Sequence, residues 1–262
     1  MRNQSERGNS LVDNEQIAQL AGLPVLEVAA LANRLENVRR SVAAAAQAAG
    51  RDPAEITLIG VSKFLPASMA TAAVCLGLHD LGENRVQEML AKQDDLSDKD
   101  LHPSWHLIGT LQKNKVKYLI GRTALIHSID SAELLEELAS RSSKAGLVTD
   151  VLLQVNTAHE ATKHGFDPDE LLANADRFAS QSGIRVRGLM TMAPLFEHPD
   201  QTRPVFGQTQ ILFASLAAGP LGSDTFNILS MGMSQDYSQA IACGATHVRI
   251  GTAIFGPRPS QG

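Results

Sequence analysis

The sequence predicts an α/β domain of the (β/α)8 TIM-barrel class, and three observations carry that prediction. Short apolar runs recur along the chain, segments of helical periodicity separate them, and the repeating part spans residues 31–256. Strands with no polar face belong to parallel sheets covered on both sides. The span is close to the roughly 250 residues of one closed barrel, which favours it over a doubly wound open sheet. The expected organisation is an N-terminal extension over 1–30 and a single barrel domain over 31–262.

Residues 1–12 are polar and expected to be disordered, and Asp13 to Ala32 reads as a short helix outside the main fold. Leu31 to Ala49 is the first barrel helix. Leu31, Leu35, Val38, Val42 and Ala46 recur at three- or four-residue spacing, Glu36, Arg39 and Arg40 fill the other face, and Gly50 ends the pattern. The expected strands are Thr57 to Val61, His79 to Leu81, Trp105 to Ile108, Leu125 to Ile129, Val151 to Val155, Val186 to Met190, Phe226 to Leu229 and His247 to Ile250. Helix starts lie between them. Ser131 precedes Leu134, Leu135 and Leu138, and Asp167-Pro168-Asp169-Glu170 reads as N-cap, first-turn proline and N3 acid. Each strand is expected to have its own helix.

Composition excludes several functions. Aromatics are only 4% of 262 residues, so Ala, Leu, Ile and Val must fill the core. A net charge of −5 with interspersed signs gives no basic field for nucleic acid. No run approaches the roughly 18 apolar residues of a membrane span, and the N-terminus has no apolar signal core. A cytoplasmic location is expected. Cys75 and Cys243 lack metal or redox spacing and read as buried free thiols.

In a barrel of this class, reactive groups collect at the carboxyl ends of the strands, and a phosphate often binds after strands seven and eight. Lys63 stands at the end of strand one, a lone amine after an apolar run, where desolvation favours a nucleophilic neutral form. Strand two leads into Gly82-Glu83-Asn84, strand three carries His106, and strand five ends at Asn156. Strand seven leads into Ser230-Met231-Gly232-Met233-Ser234, with a helix expected from Ser234 or Gln235, and strand eight carries Arg249 into Gly251-Thr252. These two turns offer amides and hydroxyls for a phosphate cup. A lysine beside a phosphate cup describes pyridoxal 5′-phosphate, held covalently at one end and electrostatically at the other.

The strings GVSKFLP around Lys63, LGENRVQE at 81–88, WHLIGTLQKNK at 105–115, VNTAHEATKHGF at 155–166, GLMTM at 188–192, LSMGMSQDYSQAI at 229–241 and VRIGTAIFG at 248–256 resemble the YggS/PROSC family of pyridoxal phosphate homeostasis proteins. The resemblance implies a fold-type III barrel like the N-terminal domain of alanine racemase, with Lys63 as the Schiff-base lysine. It implies Ser230, Gly232, Gly251 and Thr252 around the phosphate and Arg249 towards the pyridine nitrogen. As a fixed donor, Arg249 would keep that nitrogen unprotonated and weaken the cofactor as an electron sink. Asn84 is a candidate donor to the phenolic oxygen, Glu83 a brace for neighbouring loops, and His106 reads as a satisfied core histidine, although the family motif puts it near the pocket. Lys113, Lys115 and Lys117 are expected on a solvated helix face, and Lys163 is a candidate second site for transient aldehyde capture. Many relatives carry a second lysine soon after the cofactor lysine and a tyrosine after Gly-Glu-Asn. Here Phe64-Leu65 and Arg85 take those places.

Three functions compete on the sequence: a cofactor carrier, an amino-acid racemase or decarboxylase, and an aldolase-like lysine barrel without cofactor. The last leaves Arg249 beside a phosphate cup unexplained. Racemisation needs an acid or base on each face of the cofactor. In fold-type III racemases the second group is a tyrosine from a separate β domain, and no such domain follows the barrel pattern in this sequence. The expectation is therefore a monomeric carrier that buffers pyridoxal phosphate or delivers it to apoenzymes.

Overall fold

A computed structural model describes residues 14–158 and 164–257. Eight parallel strands close into a barrel in sequential order, from β1 to β8 and back to β1. The strands are β1 Thr57–Val61, β2 Asp80–Glu83, β3 Ser104–Leu107, β4 Leu125–Ile129, β5 Thr149–Gln154, β6 Ile184–Met190, β7 Ile228–Ser230 and β8 His247–Ile250. Closure comes from four register pairs between β1 and β8, running from Thr57 with His247 to Gly60 with Ile250. β3, β5 and β6 are offset from the expected spans by one or two residues at their ends, and two strands differ in ways that bear on the site. β2 lies further along, taking in Gly82 and Glu83, and β7 begins at Ile228 because Phe226 turns back to Ser223 through its amide. Lys63 falls two residues past β1, in a turn.

The outer layer starts with α1 (14–21) and α2 Val25–Ala48. Pro24 sets the start of α2, so the helix expected from Leu31 begins six residues earlier. The expected domain boundary at residue 30 thus falls inside α2, where Val28 is fully buried. Ala18 and Ala21 of α1 join the same hydrophobic core, so the helix is docked rather than outside the fold. The 1–12 segment lies outside the described residues.

The remaining helices are α3 Ala67–Cys75, α4 Val86–Ser97, α5 Ala132–Lys144, α6 Pro168–Ala173, α7 Ala175–Ala179, α8 Arg203–Ala217, α9 Tyr237–Ala242 and α10 Thr252–Phe255. β3 is the exception to one α-helix per strand. It is followed by a 3-10 segment, Lys113–Tyr118, in which Lys113 and Lys117 are exposed and Lys115 is half-buried. α2 packs on α9, α10 and α3 through Val28, Leu31, Leu35, Val38, Val42 and Ala46. Each such burial removes apolar surface worth about 1.5–3 kcal/mol for a Leu or Val. Its polar face is also tied down: Arg34 Nε donates to Ile254 O at 2.7 Å and Arg39 Nη2 to Gly77 O at 2.7 Å. Cys75 and Cys243 are free thiols as expected, but both are half-buried rather than buried.

β6 and β7 approach so closely at Gly188 that an added Cβ would lie 1.8 Å from Ile228 O, and its φ of 147° disfavours any side chain. Gly188→Ala is expected to cost at least about 3 kcal/mol in denaturant unfolding. Gly207→Ala, at an open position within α8, is expected to gain about 0.5–1 kcal/mol.

Candidate functional site

The carboxyl ends of the strands open into a cavity of about 990 Å³, a size that suits a small organic ligand. Lys63, Asn84, Arg249, Gly251 and Thr252 line it, whereas Ser230 and Gly232 do not. Ser230 lies beneath the cavity, fully buried and bonded to Arg249 and His127. Gly232, at φ 92°, presses its backbone on α9, where an added Cβ would come within 2.6 Å of Ala240 Cβ. The wall at this turn is made by Met233, Ser234, Gln235 and Asp236. The helix expected from Ser234 or Gln235 starts at Tyr237. Asp236 delays it by accepting the Met233 amide at 2.6 Å and curling the turn. The amides of Ser234 and Gln235 find no acceptor among the described residues, leaving them available to an anion.

The turn presenting Lys63 is clamped from behind. Leu65 N donates to Ser62 O at 3.1 Å, and Phe64 sits at φ 65°, a conformation non-glycine residues seldom adopt. Three groups hold it. Phe64 N donates to Glu88 Oε1 at 2.5 Å, Ser62 Oγ to Glu83 Oε1 at 2.6 Å, and Lys92 Nζ to Ser62 O at 2.7 Å. Lys92 pairs with Glu83 at 2.6 Å and Glu88 at 2.9 Å, and both Lys92 and Glu83 are buried. Burial pushes the Glu83 carboxyl up, opposed by Lys92 and Ser62. Glu83, the last residue of β2, thus braces the loop. Nothing in the sequence singles out Lys92, because Glu88 and Lys92 at i, i+4 read as an ordinary surface pair. Phe64 and Arg85, the two departures from the family pattern, meet: the Arg85 guanidinium lies 5.3 Å and Lys63 Nζ 5.9 Å from the Phe64 ring centre.

Arg249 is buried at the cavity floor, donating from Nη1 to Ser230 Oγ at 2.6 Å and from Nη2 to Thr191 O at 2.9 Å. Burial lowers its pKa to about 10, with Asp236 acting the other way, so it remains a cation at neutral pH. His106 is a buried histidine, bonded through its ring to Asp80 and His127. His127, Asp80 and Thr191 carry no signal in the sequence, since their partners lie on other strands. Met192 to Glu197, after β6, add a further wall with Leu195 exposed. Lys163 lies outside the described residues.

The donor set fits pyridoxal phosphate: an amine on one wall, a donor-only cation on the floor, and two turns, at 233–236 and 251–252, with amides and hydroxyls for a phosphate. Comparison with known proteins agrees. The alanine racemase N-terminal domain profile matches residues 28–259. The Aquifex aeolicus protein named pyridoxal phosphate homeostasis protein is 42% identical, covering 86% of this chain and 97% of the relative. The Pseudomonas aeruginosa protein of that name is also 42% identical, covering 87% and 96%. The chain belongs to this pyridoxal phosphate homeostasis family. The solved structure of PipY from Synechococcus elongatus with PLP bound has a TM-score of 0.76 and 35% identity, covering 86% of this chain and all of that one. Alanine racemase from Clostridium difficile, at 16% identity and a TM-score of 0.61, covering 79% of this chain and 53% of that one, shares the fold.

Lys92→Met leaves Glu83 buried without its counter-charge and is expected to cost about 3–5 kcal/mol near neutral pH. Without Lys92, the folded state holds the Glu83 proton more tightly than the unfolded state does. The variant's deficit should therefore grow as pH rises through the carboxylate range and shrink in acid, as read by denaturant titration at several pH values.

Proposed function

We propose that this protein is a pyridoxal 5′-phosphate carrier acting in cofactor homeostasis in the cytoplasm, tethering the cofactor at Lys63 and releasing it to apoenzymes. The observation that carries this reading is the convergence of Lys63, Arg249 and the 233–236 and 251–252 turns on one cavity. When bound, pyridoxal phosphate supplies an aldehyde that condenses with amines and a ring that withdraws electrons when its nitrogen is protonated. Lys63 provides the amine, on a turn fixed by Glu83, Glu88 and Lys92. The amides of Ser234 and Gln235, with Gly251 and Thr252, orient the phosphate, and Asn84 the phenolic oxygen. Arg249, cationic and unable to accept a proton, would hold the ring nitrogen as a donor and keep it unprotonated.

The same features disfavour turnover. No tyrosine lines the cavity among the described residues. Tyr118 is on the 3-10 segment and Tyr237 packs in α9 against the core. A ring held unprotonated is a weak electron sink and suits storage and release better than racemisation. A monomer is the working state, and two free thiols agree with a reducing compartment.

The test is transfer. The loaded protein is mixed with a colourless apoenzyme in the presence of a trap for free aldehyde, and activity is followed against free cofactor under the same trap. Protected activation is expected. Activation no better than from trapped free cofactor, or racemisation of a common amino acid at enzyme-like rates, would contradict the carrier reading.

A further inference from the structure

Beneath the cavity, five side chains from five strands form one hydrogen-bonded line through the barrel interior. Arg249 Nη1 reaches Ser230 Oγ at 2.6 Å, and Ser230 Oγ meets His127 Nδ1 at 3.0 Å. His127 Nε2 meets His106 Nδ1 at 3.0 Å, and His106 Nε2 meets Asp80 Oδ1 at 3.0 Å. Arg249, Ser230, His127 and His106 are buried, while Asp80, at the amino end of β2, keeps 28% of its side chain exposed.

With a single proton on the His106 ring, donor and acceptor chemistry fixes the direction of every link. The Asp80 carboxylate only accepts, so His106 carries its proton on Nε2 and, when neutral, accepts at Nδ1. His127 must then donate from Nε2, which leaves its Nδ1 as an acceptor. The Ser230 hydroxyl donates to that nitrogen, and its lone pairs face the guanidinium. From the other end, Arg249 only donates, so Ser230 Oγ accepts from it and keeps its own proton for the His127 nitrogen. The line is therefore polarised throughout, from a cation to a carboxylate.

We propose that His127 is a positioning residue: by taking the Ser230 hydroxyl proton as a hydrogen-bond acceptor, it turns the Ser230 lone pairs onto Arg249 and fixes the guanidinium at the cavity floor. This rests on the reading of Arg249 as the partner of the cofactor ring nitrogen. With a proton on Nδ1 instead, His127 and Arg249 would both donate to Ser230 Oγ, and the hydroxyl would have to find another acceptor. The groups facing His127 are His106 from β3, Ser230 from β7, and His247 and Arg249 from β8, while Asp80 of β2 acts on His106 and His247. Burial, the neighbouring imidazoles and Arg249 hold His127 well below the ordinary histidine value, and His247 falls to about 4 chiefly through burial. A neutral ring is what the line requires.

Nitrogen-15 NMR of the histidines in the native protein, with and without added pyridoxal phosphate, is expected to show His127 neutral and protonated on Nε2. A positively charged His127 at pH 7, or one protonated on Nδ1, would overturn the proposal without recourse to any variant. His127→Leu is expected to weaken pyridoxal phosphate binding about tenfold and to shift the pH at which the bound cofactor's visible band titrates. His127→Asn, whose amide oxygen replaces Nδ1 as acceptor, is expected to recover most of both. Binding and titration unchanged in His127→Leu would overturn the proposal. If neither variant folds, Ser230→Ala, which removes only the hydroxyl, is expected to show the same loss, and unchanged binding and titration there would overturn the proposal equally. Failure of the underlying reading is separately visible: Arg249→Gln would leave the band's titration unchanged, while the tautomers of the native protein still decide the hydrogen-bonded line.

Discussion

Pairing of β1 with β8 is the constraint on which the site depends. That seam closes the sheet, removes both free edges and leaves no unpaired ladder exposed to water. It also places residues almost two hundred positions apart on neighbouring strands. Ile59 lies opposite Arg249 and Gly60 opposite Ile250, so the Lys63 turn and the Gly251-Thr252 turn emerge side by side. Gly251 lies close enough to β1 that an added Cβ would be 3.3 Å from Val61 O. An open sheet of the same strands would leave the amine and the second phosphate turn at opposite edges.

Two buried cations near the site are treated in opposite ways, and the contrast is informative. Lys92 is neutralised by Glu83 and Glu88, which turns its charge into a mechanical clamp on the Lys63 turn. Arg249 makes no ion pair among the described residues and is held by a hydroxyl and a carbonyl, with Asp236 contributing only through its field. A desolvated cation with neutral partners retains its attraction for an electron-rich group entering the cavity. The first arrangement secures geometry; the second leaves a charge for the ligand.

Much of the fold and part of the site are legible in the sequence, for identifiable reasons. Apolar runs mark parallel strands because both faces of the sheet are covered, so β1, β4 and β8 are located to the residue. β7 is misplaced because it has only three residues and the apolar Phe226 before it lies in a turn. Lys63, Asn84, Arg249, Gly251 and Thr252 belong to local strings at strand ends, where sequence position and cavity position coincide. Ser230 belongs to the same kind of string, but its strand ends with the side chain turned into the barrel. Of the Asp80, His106 and His127 line the sequence marks only His106, as a core histidine, since the line itself exists only across β2, β3 and β4. Lys92 is hidden by a spacing that usually marks a solvated helix face.

Whether Lys63 is the covalent tether is tested most directly by borohydride reduction of the pyridoxal phosphate-loaded protein followed by peptide mass mapping. A single added cofactor mass is expected on Lys63, with tryptic cleavage after that residue blocked and the label absent from Lys63→Ala. Label concentrated on another lysine, or no label on protein that has taken up the cofactor, would contradict the tether.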